Sequence, residues 1–183
     1  LPIFLAAMSP DEYGILGIAT SLIALLSLML TFQIPAAVTI DFHNTPVNRQ
    51  TVFFSSLLFS MLLIGLATTF LLLAFGQGFF ALVLKSIPFR PYVVLSASIG
   101  LSLSTLELFR NYFRISEKAL QFVSVNALQF LLYGGLALVL FRFLQDGAVA
   151  VLVANLIASA IAVLISLVFA RRLLTLEFSK EYV

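Results

Sequence analysis

The sequence predicts an all-α, polytopic transmembrane helical bundle, on three observations. Of the 183 residues, 62% are hydrophobic and only 10% are charged, whereas soluble domains sit near half apolar and a quarter charged. The apolar residues fall in long uncharged runs, each sufficient as a helix to cross a hydrocarbon core about 30 Å thick. Between the runs lie short segments rich in Pro, Gly and Asn, which favour turns. The absence of cysteine excludes disulfides and thiolate metal sites. A net charge of +2 is too small to point to a nucleic-acid partner.

The first element, Leu1 to Met8, is apolar but rises only about 12 Å as a helix, so it cannot span alone. It lacks a starting Met and a basic n-region, and is therefore read as the tail of a helix that begins before this sequence, not as a signal peptide. Ser9 fits an N-cap, Pro10 the first helical position and Glu12 the partner in a capping box. Asp11 and Glu12 suit the positive end of a helix dipole. The second span is expected over residues 14–40, with a kink or an early stop at Pro35. "DFHNTPVNRQ", Asp41 to Gln50, reads as a polar loop.

The third span is expected over residues 51–75, ending at Gly76, Gln77 and Gly78, with Phe79 to Leu84 lying at the interface. "LKSIPFRPY" reads as a loop on its two prolines and two cations. The fourth span is expected over residues 92–114, the fifth over 119–140 and the sixth over 148–170, stopped by Arg171 and Arg172. Residues 1–183 then form a single lobe with a cytoplasmic tail over 171–183. In the sixth span Ala150, Ala154, Ala158, Ala162, Ser166 and Ala170 recur every fourth residue, a ridge that permits close helix packing.

Orientation follows from the cations, since short loops rich in Lys and Arg stay in the cytoplasm. One side collects Arg49, Arg110, Arg114, Lys118, Arg171, Arg172 and Lys180, and the other Lys85, Arg90 and Arg142. "SPDEYG", with two acids and no cation, falls on the outer side.

An enzyme is not expected. His43 is the single histidine and there is no Cys, so neither a paired-histidine metal site nor a Cys/His dyad can be built. No Gly-rich loop precedes a Lys-Ser or Lys-Thr pair, and neither cofactor nor metal is expected. Polar side chains within spans are more informative, because they are costly in lipid and face a protein interior or a wet cavity. Gln33 lies just before Pro35, either beside a polar cavity or within a locally bonded kink. Asn126, Gln129 and Tyr133 share one face of the fifth span, and Asn155 and Ser159 one face of the sixth; each set is interhelical glue or a ligand contact. Glu107, Arg110 and Arg114 can line one face at the end of the fourth span. They are either a positive anchor with an intrahelical ion pair or a phosphate site built from guanidinium forks. Asp41 is a counter-charge for them or a loop acid.

The stretch "FLAAMSPDEYGILGIATSLIALLSLMLTFQIPAAVTIDF" resembles the first two helices of the polysaccharide biosynthesis proteins, Wzx-type lipid-linked oligosaccharide flippases in the superfamily of the MATE exporters. Pro10, Asp11, Glu12, Tyr13 and Gly14 match that family's turn between helices one and two. "LELFRNYFRISEKALQFVSVNALQFLL" is similar to its helix four, cytoplasmic turn and helix five. "DGAVAVLVANLIASAIAVLISLVFARR" is similar to its helix six with a basic stop. Gln33 and Asp41 depart from the family pattern, which often has Gly and a basic residue there.

The resemblance implies one six-helix lobe of a two-lobed, MATE-like flippase fold, completed by a C-terminal lobe of the same chain. It implies movement of an isoprenoid-pyrophosphate-linked oligosaccharide, an O-antigen, capsule or exopolysaccharide unit, across the cytoplasmic membrane by alternating access. Its partners would be that substrate, the lipid bilayer, and a polysaccharide polymerase and glycosyltransferases. Arg110 and Arg114 would capture phosphate, with Glu107 and Gln33 beside them, and Asn126, Gln129 and Asn155 would meet sugar hydroxyls. Two alternatives stand beside it: a MATE-like drug or metabolite exporter, coupling to an ion through Asp41 or Glu107, and a non-transporting scaffold for glycan assembly.

Overall fold

The computed structural model describes residues 8–32, 34–42, 44–46, 49–83 and 88–171. Its elements are helices throughout: α1 (Pro10–Thr31), α2 (Ile34–Asp41), α3 (Gln50–Val83), a wide turn (Phe89–Val93) leading into α4 (Val94–Ile115), α5 (Ala119–Leu140) and α6 (Gly147–Ala170). Five of these segments are long and apolar enough to cross a bilayer. A chain in lipid must satisfy its backbone polar groups internally, and helices do so within one segment.

α1 begins at the expected capping box. Ser9 is extended (φ −69°, ψ 157°), its Oγ accepts from the Glu12 N–H at 3.3 Å, and Glu12 Oε2 accepts from the Ser9 N–H at 2.8 Å. The interruption expected near Pro35 is present, and it divides the segment over 14–40 into two helices. α1 stops at Phe32, whose φ of 48° is left-handed, and α2 restarts at Ile34 with Pro35 in its first turn, where a missing N–H has no helical partner to lose. Gln33, at the break, lies outside the described residues, as do His43 and residues 172–183.

The expected end of the third span is corrected. α3 continues through Gly76, Gln77 and Gly78 to Val83, and so includes the described part of the segment expected at the interface. No described glycine has a positive φ. Gly76 is flanked by Phe80 and Leu72 of its own helix. The cost of a helical glycine, about 1 kcal/mol, is smaller than that of leaving backbone groups unpaired in an apolar setting.

α4 is the central helix, its span 61% buried, and α5 is an edge helix, 11% buried. α4 runs parallel to α1 along a close seam. Ser96 Oγ donates to the Ala19 carbonyl at 3.4 Å and Ser104 Oγ donates to the Ser27 carbonyl at 2.9 Å. Between them, a Cβ on Gly100 would sit 3.2 Å from Ser27 N and 3.4 Å from Ile23 O. α6 packs on α5 and α4, and its ridge from Ala150 to Ala170 is buried as expected. Aromatic residues fill the core at the far end of α4, where Phe54 meets Phe109 and Tyr112.

The opposite end, where α1, α4 and α6 begin, is fastened by two carboxylates. Glu12 Oε1 accepts from the buried Gly147 N–H at 2.8 Å, joining the first turn of α1 to that of α6. Asp146 caps α6 through the Val149 N–H at 3.0 Å and accepts from the Tyr92 hydroxyl at 2.5 Å. Each acid thus serves its own helix start and a second element.

Candidate functional site

The last three turns of α4 carry three of the expected site residues. Glu107 and Arg114 are exposed and Arg110 is half-buried. The Ser27–Ser104 bond sets the register of the parallel helices, so Arg110, six residues further on, lies about level with the α1/α2 break. Cations here also suit the negative end of the α4 dipole.

Arg110 turns toward α5, where its Nη2 donates to Gln129 Oε1. Its Nε is buried and has no hydrogen-bond partner among the described residues. Arg114 Nη2 donates to Asn111 Oδ1 at 2.7 Å, and Asn111 Nδ2 in turn donates to the Pro35 carbonyl at 2.9 Å. Polar contacts at the end of α4 therefore join it to α5 through Arg110 and, separately, to α2 through Asn111. A third cation, Lys118, is engaged beside them: its Nζ donates to the Tyr112 hydroxyl at 2.6 Å and lies 4.8 Å from that ring's centroid.

The structure brings Arg110 and Gln129 into contact, with Asn126 on the same helix as Gln129. Asn126 Nδ2 is already committed to the Phe122 carbonyl at 2.7 Å, within α5. Tyr133 packs against apolar residues of the neighbouring core. Asn155 is half-buried on α6, apart from these contacts, and its helical neighbour Ser159 donates to the Leu156 carbonyl. Asp41 is exposed at the end of α2, and its carbonyl accepts from Thr45.

Two grooves are present elsewhere. One of about 680 Å³ between α1 and α3 is apolar, lined by residues such as Leu26, Met29, Leu72 and Phe79. The other, about 500 Å³, lies beside Arg90, Pro91, Val149 and Val153. Neither Asp41 nor Glu107 lines either groove. Among the described residues no group of three or more His, Asp or Glu is placed to hold a metal ion.

Sequence reasoning passed over Asn111, although it stands within the polar end of α4 and one turn from both Glu107 and Arg114. A polar amide inside an apolar helix is itself a signal. It also passed over Ser96, Gly100 and Ser104, which share the four-residue period recognised in α6. The second bond of Glu12 left no local signature, because its partner is 135 residues away.

An all-α bundle with five spanning-length helices among the described residues defines a multi-pass membrane protein. The chain belongs to the polysaccharide biosynthesis protein family, which it matches over residues 1–182. No curated protein and no solved structure matches it.

Proposed function

We propose that this chain is a lobe of a flippase that moves an isoprenoid-pyrophosphate-linked oligosaccharide across the cytoplasmic membrane by alternating access, and is not an enzyme. The observation that carries the reading is Arg110. Its guanidinium is half-buried between α4 and α5, braced by Gln129, with a buried Nε–H that has no acceptor among the described residues. A buried donor without a partner costs about 1–3 kcal/mol, more when charged, and a pyrophosphate oxygen is an acceptor of the right charge and geometry.

Arg114 supplies a second guanidinium one turn away. The distribution of cations supports a cytoplasmic side for this end of α4, where a lipid-linked sugar made in the cytoplasm would arrive. A sugar pyrophosphate is too polar to cross hydrocarbon unaided, so polar groups such as Gln129 and Asn126 replace its water. A second lobe of the same polypeptide would close the other wall.

Replacing Arg110→Ala and Arg114→Ala together in the intact protein tests the reading. Export of surface glycan is expected to stop while the protein remains in the membrane at its normal level. Unchanged export with both arginines removed would refute phosphate capture at this site.

A further inference from the structure

We infer that Asn111 is a positioning residue that aims Arg114 by tying its guanidinium to the first turn of α2. The inference rests on the anion-capture reading of Arg110 and Arg114. Asn111 is only 7% exposed, and both halves of its amide are in use. Nδ2 donates to the Pro35 carbonyl at 2.9 Å, and Oδ1 accepts from Arg114 Nη2 at 2.7 Å.

An amide donates from one atom and accepts at another without carrying a charge. A carboxylate at this position would neutralise Arg114 and face the Pro35 carbonyl with a second acceptor. An alkyl group would release both partners. Arg114 is otherwise exposed at the end of α4, and a free arginine side chain samples many rotamers. Anchoring one Nη through Asn111 fixes the plane of the guanidinium and leaves further N–H donors available to an anion.

The arrangement also links the site to the helix break. Pro35 follows the left-handed residue Phe32 by three positions, and its carbonyl belongs to the short helix that restarts there. Ser104, two turns earlier on α4, holds the Ser27 carbonyl before the break. The side chains of one helix thus fix the backbone on both sides of the interruption. Asn111 is the one of these two that passes the constraint on to a cation.

The test measures binding of farnesyl pyrophosphate to the intact protein in nanodiscs by calorimetry, for wild type, Arg110→Ala/Arg114→Ala, Arg114→Ala, Asn111→Ala, Asn111→Asp and Asn111→Ala/Arg114→Ala. Loss of one hydrogen bond to a charged group predicts about a tenfold weaker affinity for Asn111→Ala. Asn111→Asp, nearly the same size, is predicted to weaken binding further because its charge pairs with Arg114. Asn111→Ala/Arg114→Ala is predicted to bind no more weakly than Arg114→Ala, since Asn111 acts through that arginine. Affinity losses that multiply in this double variant, or an Asn111→Asp that binds like wild type while Arg114→Ala does not, would overturn the inference and leave anion capture standing. Unchanged binding in Arg110→Ala/Arg114→Ala would instead overturn anion capture itself.

Discussion

Replacing Gly100 with leucine forces a side chain into the seam where α1 and α4 lie closest. The first added atom already meets backbone alone, with Ser27 N at 3.2 Å, Ile23 O at 3.4 Å and Leu26 C at 3.5 Å. Backbone cannot rotate away as a side chain can, so the helices must separate. Separation breaks the Ser96 bond to Ala19, already 3.4 Å long, and the Ser104 bond to Ser27. Such interhelical bonds contribute about 0.6 kcal/mol each in a membrane protein, and overpacking adds about 1–3 kcal/mol. The better helix propensity of leucine returns about 0.8 kcal/mol. The net loss is predicted at roughly 1.5–3.5 kcal/mol by these magnitudes. Gly135→Leu is the matched control, because a Cβ at Gly135 on α5 meets nothing within 4 Å. Equilibrium unfolding in mixed micelles, titrated with a denaturing detergent, compares the two. A Gly100→Leu protein as stable as Gly135→Leu would refute the close-seam account.

Substitutions centred on Glu12 and Glu117 probe the ends of the bundle. Glu12→Ala removes the capping box and leaves the buried Gly147 N–H without its acceptor, a predicted loss of about 2–4 kcal/mol in the same assay. Glu12→Gln keeps one acceptor and should lose about half as much, while Asp11→Ala should lose little. Glu117 ends the turn after α4 with a left-handed φ of 55°, and the bonds from Lys118 N to Phe113 O and from Glu117 N to Arg114 O form a Schellman cap. Glu117→Gly is therefore expected to raise stability by about 0.5–1 kcal/mol, and a lower unfolding midpoint would contradict that geometry.

What could be read from the residues was what has a local cause. The Ser9–Glu12 box and the interruption near Pro35 follow from side chains a few positions apart. So does the buried ridge of α6. The end of α3 was misplaced because Gly76 and Gly78 weaken a helix in water, where a backbone group has an alternative partner. In an apolar segment that alternative is absent and the helix continues. The clustering of Glu107, Arg110 and Arg114 on α4 was legible from spacing, but their partners were not. Gln129 lies 19 residues from Arg110 and Pro35 lies 76 from Asn111, and only the packing of α4 between α2 and α5 brings them together. The same holds for Glu12 and Gly147, and for Tyr92 and Asp146.

The central claim concerns a polar lipid and two arginines, and the most direct measurement follows that lipid across a membrane. The intact protein is reconstituted into liposomes that carry a fluorescent isoprenoid-pyrophosphate saccharide, and its appearance in the opposite leaflet is timed. The account predicts movement with the wild-type protein and movement at the protein-free rate with Arg110→Ala/Arg114→Ala. Movement at the wild-type rate without both arginines would contradict it.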